Sequence, residues 1–132
     1  MERNRQLERR YPVMQSANHI PFDYVLTLFR EMKDGVDDTA FCFLEERETG
    51  TERGIGCLPE GPRSGLPYWA DGCDKAEGFR CAEAEELFDA PIYGGRSLRE
   101  RWPEVWLYRI GGLFTNEFIG CVEGKYPLDS FR

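Results

Sequence analysis

The chain has a single histidine and no two cysteines two to four residues apart, so it lacks the paired ligands that mark a structural zinc site. It has no apolar run near the ~18 residues that a membrane-spanning helix needs. It has no Gly-rich phosphate cradle and no local Cys–His or Ser–His signature. The arginines of the first ten residues are followed by no apolar stretch, so that segment is not expected to be a secretory signal, and the expected compartment is the cytoplasm. Five scattered cysteines leave at least one unpaired. Cys42, Cys57 and Cys121 stand in apolar segments, where a reduced thiol behaves as a small hydrophobe.

A surplus of positive charge is also missing. The net charge is −7, and the first ten residues, with four arginines against Glu2 and Glu8, carry +2, which leaves −9 for the rest. Phosphate contacts need a basic surface, so nucleic acid is not an expected partner of the folded body. No membrane or cofactor is expected either. Arg96, Arg99, Arg101 and Arg109 are the one basic cluster of the body, and Glu100 and Glu104 interrupt it; these arginines are expected to pair with the chain's own acids.

What is present fits a folded domain. A chain of 132 residues, 41% hydrophobic and 14% aromatic, is long enough to bury a core without staples. The expected class is α+β, one domain over 1–132, with residues 1–12 a polar tail or frayed segment. A mostly antiparallel sheet, with hairpins near 39–58 and 105–122, should pack against two or three helices.

Phe22, Val25, Leu26, Leu28, Phe29 and Met32 recur at helical spacing after Pro21, and Asp34-Gly35 stops the pattern. Thr39–Arg47 alternates as a strand, Phe41 and Phe43 on one face and Ala40, Cys42 and Leu44 on the other; both faces are apolar, so both should be covered. Arg53–Leu58 returns as its partner. Residues 59–73 read as a long Pro/Gly-rich loop, with Tyr68-Trp69 as an aromatic pair within it, and 74–89 as helical, best from Cys81. Ser97 and Glu100 match a capping box. Two β-rich runs, 105–110 and 113–119, flank Gly111-Gly112 as a two-residue hairpin should, with Trp106, Tyr108 and Ile110 sharing a face.

The acids carry the functional question. Six of them against one base lie within 34–48, and seven against two within 71–89. Asp34, Asp37 and Asp38 lack the alternate spacing of a calcium loop, so no metal is expected. Gly94-Gly95-Arg96-Ser97 could meet an anion, but a turn and a helix cap account for it. In size, charge and lack of catalytic motifs the chain resembles the small acidic immunity proteins that neutralise interbacterial toxins. That resemblance implies a protein that is not an enzyme and that meets a basic partner, a toxin or nuclease, through its acidic surface. The candidate contact residues are Asp34, Asp37, Asp38, Glu45, Glu46, Glu48, Glu83, Glu85, Glu86 and Asp89, with Tyr68 and Trp69 as aromatic anchors. Two alternatives stand beside it. One is an enzyme using His19 with Cys57, Cys73 or a carboxylate. The other is a homo-oligomer, such as a homodimer, joined through the apolar sheet face or the 59–73 loop.

Overall fold

Helix α1 spans Phe22–Glu31 and buries Tyr24, Val25, Leu26, Leu28 and Phe29, the apolar stripe that the sequence spaces at three and four residues. In the computed structural model, which describes residues 18–59 and 65–131, this helix lies on one face of a six-stranded sheet. The expected tail at residues 1–12 and the middle of the 59–73 segment lie outside the described residues. Two tyrosine hydroxyls tie α1 in place: Tyr24 donates to the Tyr126 carbonyl at 2.8 Å, and Tyr68 donates to the Phe29 carbonyl at 2.6 Å. Trp102 Nε1 fixes the approach to the helix by donating to Ile20 O at 2.8 Å.

The sheet is antiparallel throughout, with strands β1 (Thr39–Phe43), β2 (Arg53–Cys57), β3 (Tyr68–Asp71), β4 (Phe79–Cys81), β5 (Val105–Ile110) and β6 (Leu113–Phe114). Their spatial order is β4-β3-β2-β1-β5-β6. Three short α-helices, α2 (Ala84–Asp89), α3 (Leu98–Arg101) and α4 (Thr115–Val122), follow the strands or join them, together with 3₁₀ turns such as Leu128–Phe131. The protein is therefore α+β. Its central strand β1 is buried at all five positions, as its two apolar faces demand.

The core face carries Phe41, Phe43, Ile55, Cys57, Tyr68, Val105, Leu107 and Ile110 against α1 and α2. The opposite face is roofed by aromatic side chains. Trp69 lies across Gly54 and Gly56, Tyr108 oxygen accepts from the Cys42 thiol at 3.1 Å, and the Arg47 guanidinium stacks 3.8 Å over Trp106. His19 meets Trp106 edge-on at 4.8 Å.

Several expectations hold. Gly111 and Gly112 turn with φ of 60° and 81°, the left-handed values that a two-residue hairpin favours. Ser97 caps α3: Glu100 N donates to its hydroxyl at 3.0 Å, and Glu100 Oε1 accepts from Ser97 N.

Others are corrected. Residues 68–71 form β3 within the segment expected to be a loop, because Tyr68 and Ala70 enter the core while pairing with β2 supplies the backbone hydrogen bonds. Phe79–Cys81 is likewise a strand, and only Ala84–Asp89 of 74–89 is α-helical. The run 113–119 is a strand for two residues only, and Thr115–Val122 is helical, burying Thr115, Phe118 and Ile119 on one side. A register shift between the Ala40 and Phe41 pairings places Tyr108 and Arg109 together opposite β1, so Ile110 turns into the core, away from Trp106 and Tyr108. Leu44 leaves the strand for a 3₁₀ turn, Leu44–Thr49, and is exposed.

Among the described residues, the side chains of Thr39, Trp69, Tyr93 and Thr115 each bury a polar atom without a hydrogen-bond partner. Tyr93 packs edge-on against Phe41 and Phe43, yet its buried hydroxyl has no hydrogen-bond partner. Burial pushes its pKa far up. Tyr93→Phe is expected to be neutral or to stabilise by up to about 1 kcal/mol, since it removes an unsatisfied group. Tyr68→Phe, which deletes a made bond and strands the Phe29 carbonyl, should cost about 1–2 kcal/mol. Urea unfolding of the two variants checks the contrast.

Candidate functional site

The antiparallel order brings one end of four adjacent strands together: the start of β1, the end of β2, the start of β3 and the end of β4. The β5–β6 turn stands at the same end, where Gly112 N donates to Asp38 O at 3.1 Å. Over this end lie the 3₁₀ turn Lys33–Val36 with Asp37 and Asp38, the Leu58 and Leu66 flanks of the β2–β3 connection, and the approach to α2. Leu58 N donates to Pro67 O at 2.9 Å and holds those flanks side by side.

Two kinds of exposed side chain meet here. Leu58, Leu66 and Leu113 stand 44%, 42% and 40% exposed, and Phe114 beside Leu113 stands 62% exposed. Around them are Asp34, Asp37, Asp38, Glu83 and Glu86, all exposed, with Lys33 the one base among the described residues of the same loops. Among the described residues none of these five carboxylates makes an ion pair. An apolar centre with a charged, solvated rim is the layout of a protein–protein contact.

The remaining candidate acids stand elsewhere and are differently employed. Glu45, Glu46 and Glu48 follow β1 at its far end, about 15 Å along the strand from Asp38. Glu45 pairs with Arg101 at 2.8 Å and Glu46 with Arg53 at 2.5 Å, while Glu48 is exposed. Glu85 pairs with Arg30, and Asp89 with Arg99 at 2.5 Å. The Glu46 carboxyl is held below its ordinary pKa, first by the Arg53 hydrogen bonds, against the upward push of its burial. Tyr68 is 2% exposed with its hydroxyl spent on Phe29, so it offers no anchor to a partner. Trp69 is half-buried and roofs the two β2 glycines.

The arginines behave as expected from their interruption by acids. Arg96 faces Glu104 at 3.6 Å, Arg101 meets Glu104 as well as Glu45, and Arg109 meets Glu52 at 2.5 Å. Gly94 and Gly95 do gather an anion, and it is the chain's own: Asp74 accepts from both backbone N–H groups at 2.8 and 3.1 Å. Those two bonds hold the Asp74 pKa down.

His19 is not brought to either thiol proposed for it. It stacks on Trp106 on the outer face of the sheet, whereas Cys57 belongs to the core face. Cys73 follows β3, about 14 Å across the sheet from β5 with two strands between. Burial, then the Arg47 charge, lowers the His19 pKa; burial likewise raises that of Cys57. Among the described residues no group of three or more His, Cys, Asp or Glu is placed to share a metal, and no helix is long and apolar enough to cross a membrane.

The leucines of the site, and Phe114, were not singled out by sequence reasoning. Nothing in a leucine's neighbours along the chain marks it as exposed. Comparisons with protein-family models, with curated proteins and with solved structures find no match for this chain.

Proposed function

We propose that this chain is a protein-binding domain of the inhibitor type, which docks the acidic end of its sheet onto a basic protein and occludes a positively charged cleft, as an immunity protein does to a toxin or nuclease. One observation carries the reading. Arg30, Arg53, Arg96, Arg99, Arg101 and Arg109 are each neutralised by the chain's own carboxylates, while Asp34, Asp37, Asp38, Glu83 and Glu86 remain unpaired around exposed leucines. The field that leaves the molecule at this end is negative, and it surrounds apolar surface that stands exposed among the described residues. Such a field speeds encounter with a positive surface and selects against negative ones. A nuclease or nucleic-acid-directed toxin must be positive to hold its own substrate. On this reading the site of action is the cytoplasm.

The test is capture of partners from cell lysate with three baits, at low and at high salt. They are the native chain, a variant with Asp34, Asp37, Asp38, Glu83 and Glu86 changed to amides, and a control with Glu48→Gln and Asp89→Asn. A single basic protein held in stoichiometric amount by the native bait and the control is expected to bind the five-amide variant at least about tenfold more weakly, and to be released by salt. Equal retention by all three baits, or no basic protein on any, would sink the proposal.

A further inference from the structure

Beside the docking end lies a cavity of about 430 Å³, between the outer face of β5 and the start of α4, lined by Asn18, Tyr108, Phe114, Thr115, Asn116 and Glu117. We propose that it is a guanidinium site, which receives an arginine side chain of the basic partner. The inference rests on the basic-partner reading for the source of that arginine. Leu113 and Phe114 join the cavity to the exposed leucines, so one docked surface would cover both.

The argument begins with an unmet need. Thr115 is 2% exposed, it lines the cavity, and its hydroxyl is buried with no hydrogen-bond partner. A buried hydroxyl costs stability unless it is paired, and a donor seated in the adjoining cavity would meet this one after a small shift of the wall. The other polar groups are mainly acceptors. The Asn18 amide nitrogen is committed to Leu107 O, which leaves its side-chain oxygen to accept. Glu117 accepts from Phe114 N at 3.2 Å through one carboxylate oxygen, and its second oxygen is free to accept. The Tyr108 oxygen already faces the Cys42 thiol and keeps a further lone pair.

Charge decides between ligands. The start of α4 would by itself favour an anion. The Glu117 carboxylate already fills that role, it is the one charged group among the described residues of the lining, and the whole chain carries −7. A second anion is therefore opposed and a cation favoured. The walls choose the kind of cation. The 62% exposed Phe114 ring and the Tyr108 ring offer π faces to a planar group with several donors, which describes guanidinium better than ammonium. The molecule already uses this contact elsewhere, most closely with Arg47 at 3.8 Å over Trp106 and Arg101 at 3.5 Å over Phe43.

The site is tested without the partner, by titrating the protein with N-acetyl-arginine amide and following the backbone amide resonances of Thr115, Asn116 and Glu117. N-acetyl-lysine amide and the neutral isostere N-acetyl-citrulline amide run in parallel, at about 50 mM salt to limit screening. The arginine probe is expected to saturate these shifts in the millimolar range, with the other two at least about tenfold weaker. Glu117→Gln keeps a side-chain oxygen to accept from Phe114 N and removes the charge; it should weaken the arginine probe about tenfold. Thr115→Val should weaken it several-fold while leaving the melting temperature unchanged or higher, an outcome that separates lost binding from lost folding. Equal shifts from citrulline, no shift with arginine, or a Glu117→Gln variant that binds as well as the native chain would each overturn the proposal. Because the probe is a small molecule, a failed titration beside a successful partner capture removes the pocket alone. A successful titration without any captured partner removes the basic-partner reading and leaves a guanidinium site.

Discussion

Gly111→Ala is expected to lower the unfolding free energy by about 3 kcal/mol or more, and Gly112→Ala, one residue on, by only about 1 kcal/mol. Both glycines have positive φ, so both substitutions carry the left-handed penalty of an L-residue. They differ in what a methyl group would meet. At Gly112 there is nothing within 4 Å, whereas at Gly111 the new Cβ would lie 2.2 Å from the Gly35 carbonyl oxygen. That oxygen is backbone, so no rotamer change relieves the clash; the Lys33–Val36 turn itself must move. Gly56 bounds the same loop from the other side, since a Cβ there would lie 2.4 Å from Asp37 O and 2.6 Å from the Trp69 ring. The acidic turn is thus held between two glycines, one in the β5–β6 turn and one on β2, and its position depends on the absence of side chains at both. Urea unfolding of the Gly111 and Gly112 variants gives the stability difference. Equal losses would show that the close approach of Gly111 to Gly35 does not position the turn. Because the displaced loop carries Asp34, Asp37 and Asp38, Gly111→Ala should also weaken partner capture under conditions in which the variant remains folded.

The features legible in the sequence are those whose partners lie within a few residues. The stripe of α1, the Gly111-Gly112 turn and the Ser97–Glu100 cap are all of this kind. Strands β3 and β4 escaped because their hydrogen bonds come from distant segments, and four or three residues carry too little alternation to show through the surrounding Pro and Gly. Phe118 and Ile119 fit either period, and the helix wins because both reach the core from one side of a turn that starts at Thr115. The same limit governs the site. The acid excess could be counted, but which acids are spent could not, since Arg30, Arg101 and Arg109 reach carboxylates 55, 56 and 57 residues away. Only the tertiary fold separates Glu45, Glu46, Glu85 and Asp89, held by arginines, from the five carboxylates left free to meet a partner.

Glu46→Gln is expected to cost about 2–3 kcal/mol at pH 7, and that difference from the native chain should shrink as the pH falls. Glu46 accepts from Arg53 Nε at 3.0 Å and Nη2 at 2.5 Å, and from Phe43 N at 3.0 Å, so one carboxylate both closes the turn after β1 and ties it to the start of β2. Arg53 also lies 5.0 Å from the Phe43 ring and donates to Gly72 O, which carries the tie on to the end of β3. The pair is mostly shielded, with side chains 23% and 19% exposed, so removing the charge leaves a guanidinium short of its partner in a poorly hydrated place. The sign of the pH effect follows from the direction of the shift. The folded-state pKa of Glu46 lies below its ordinary value of 4.5, so the folded protein holds the proton less readily than the unfolded chain does. Its contribution is complete above that ordinary value. It fades as the pH falls below 4.5 and is gone once the pH has passed through the lowered folded-state pKa. Native and Glu46→Gln unfolding curves should therefore stand well apart at neutral pH and converge in acid, even though other carboxylates weaken both proteins together. A gap that stays constant from neutral pH to well below 4.5 would assign the loss to packing and not to the Glu46 charge.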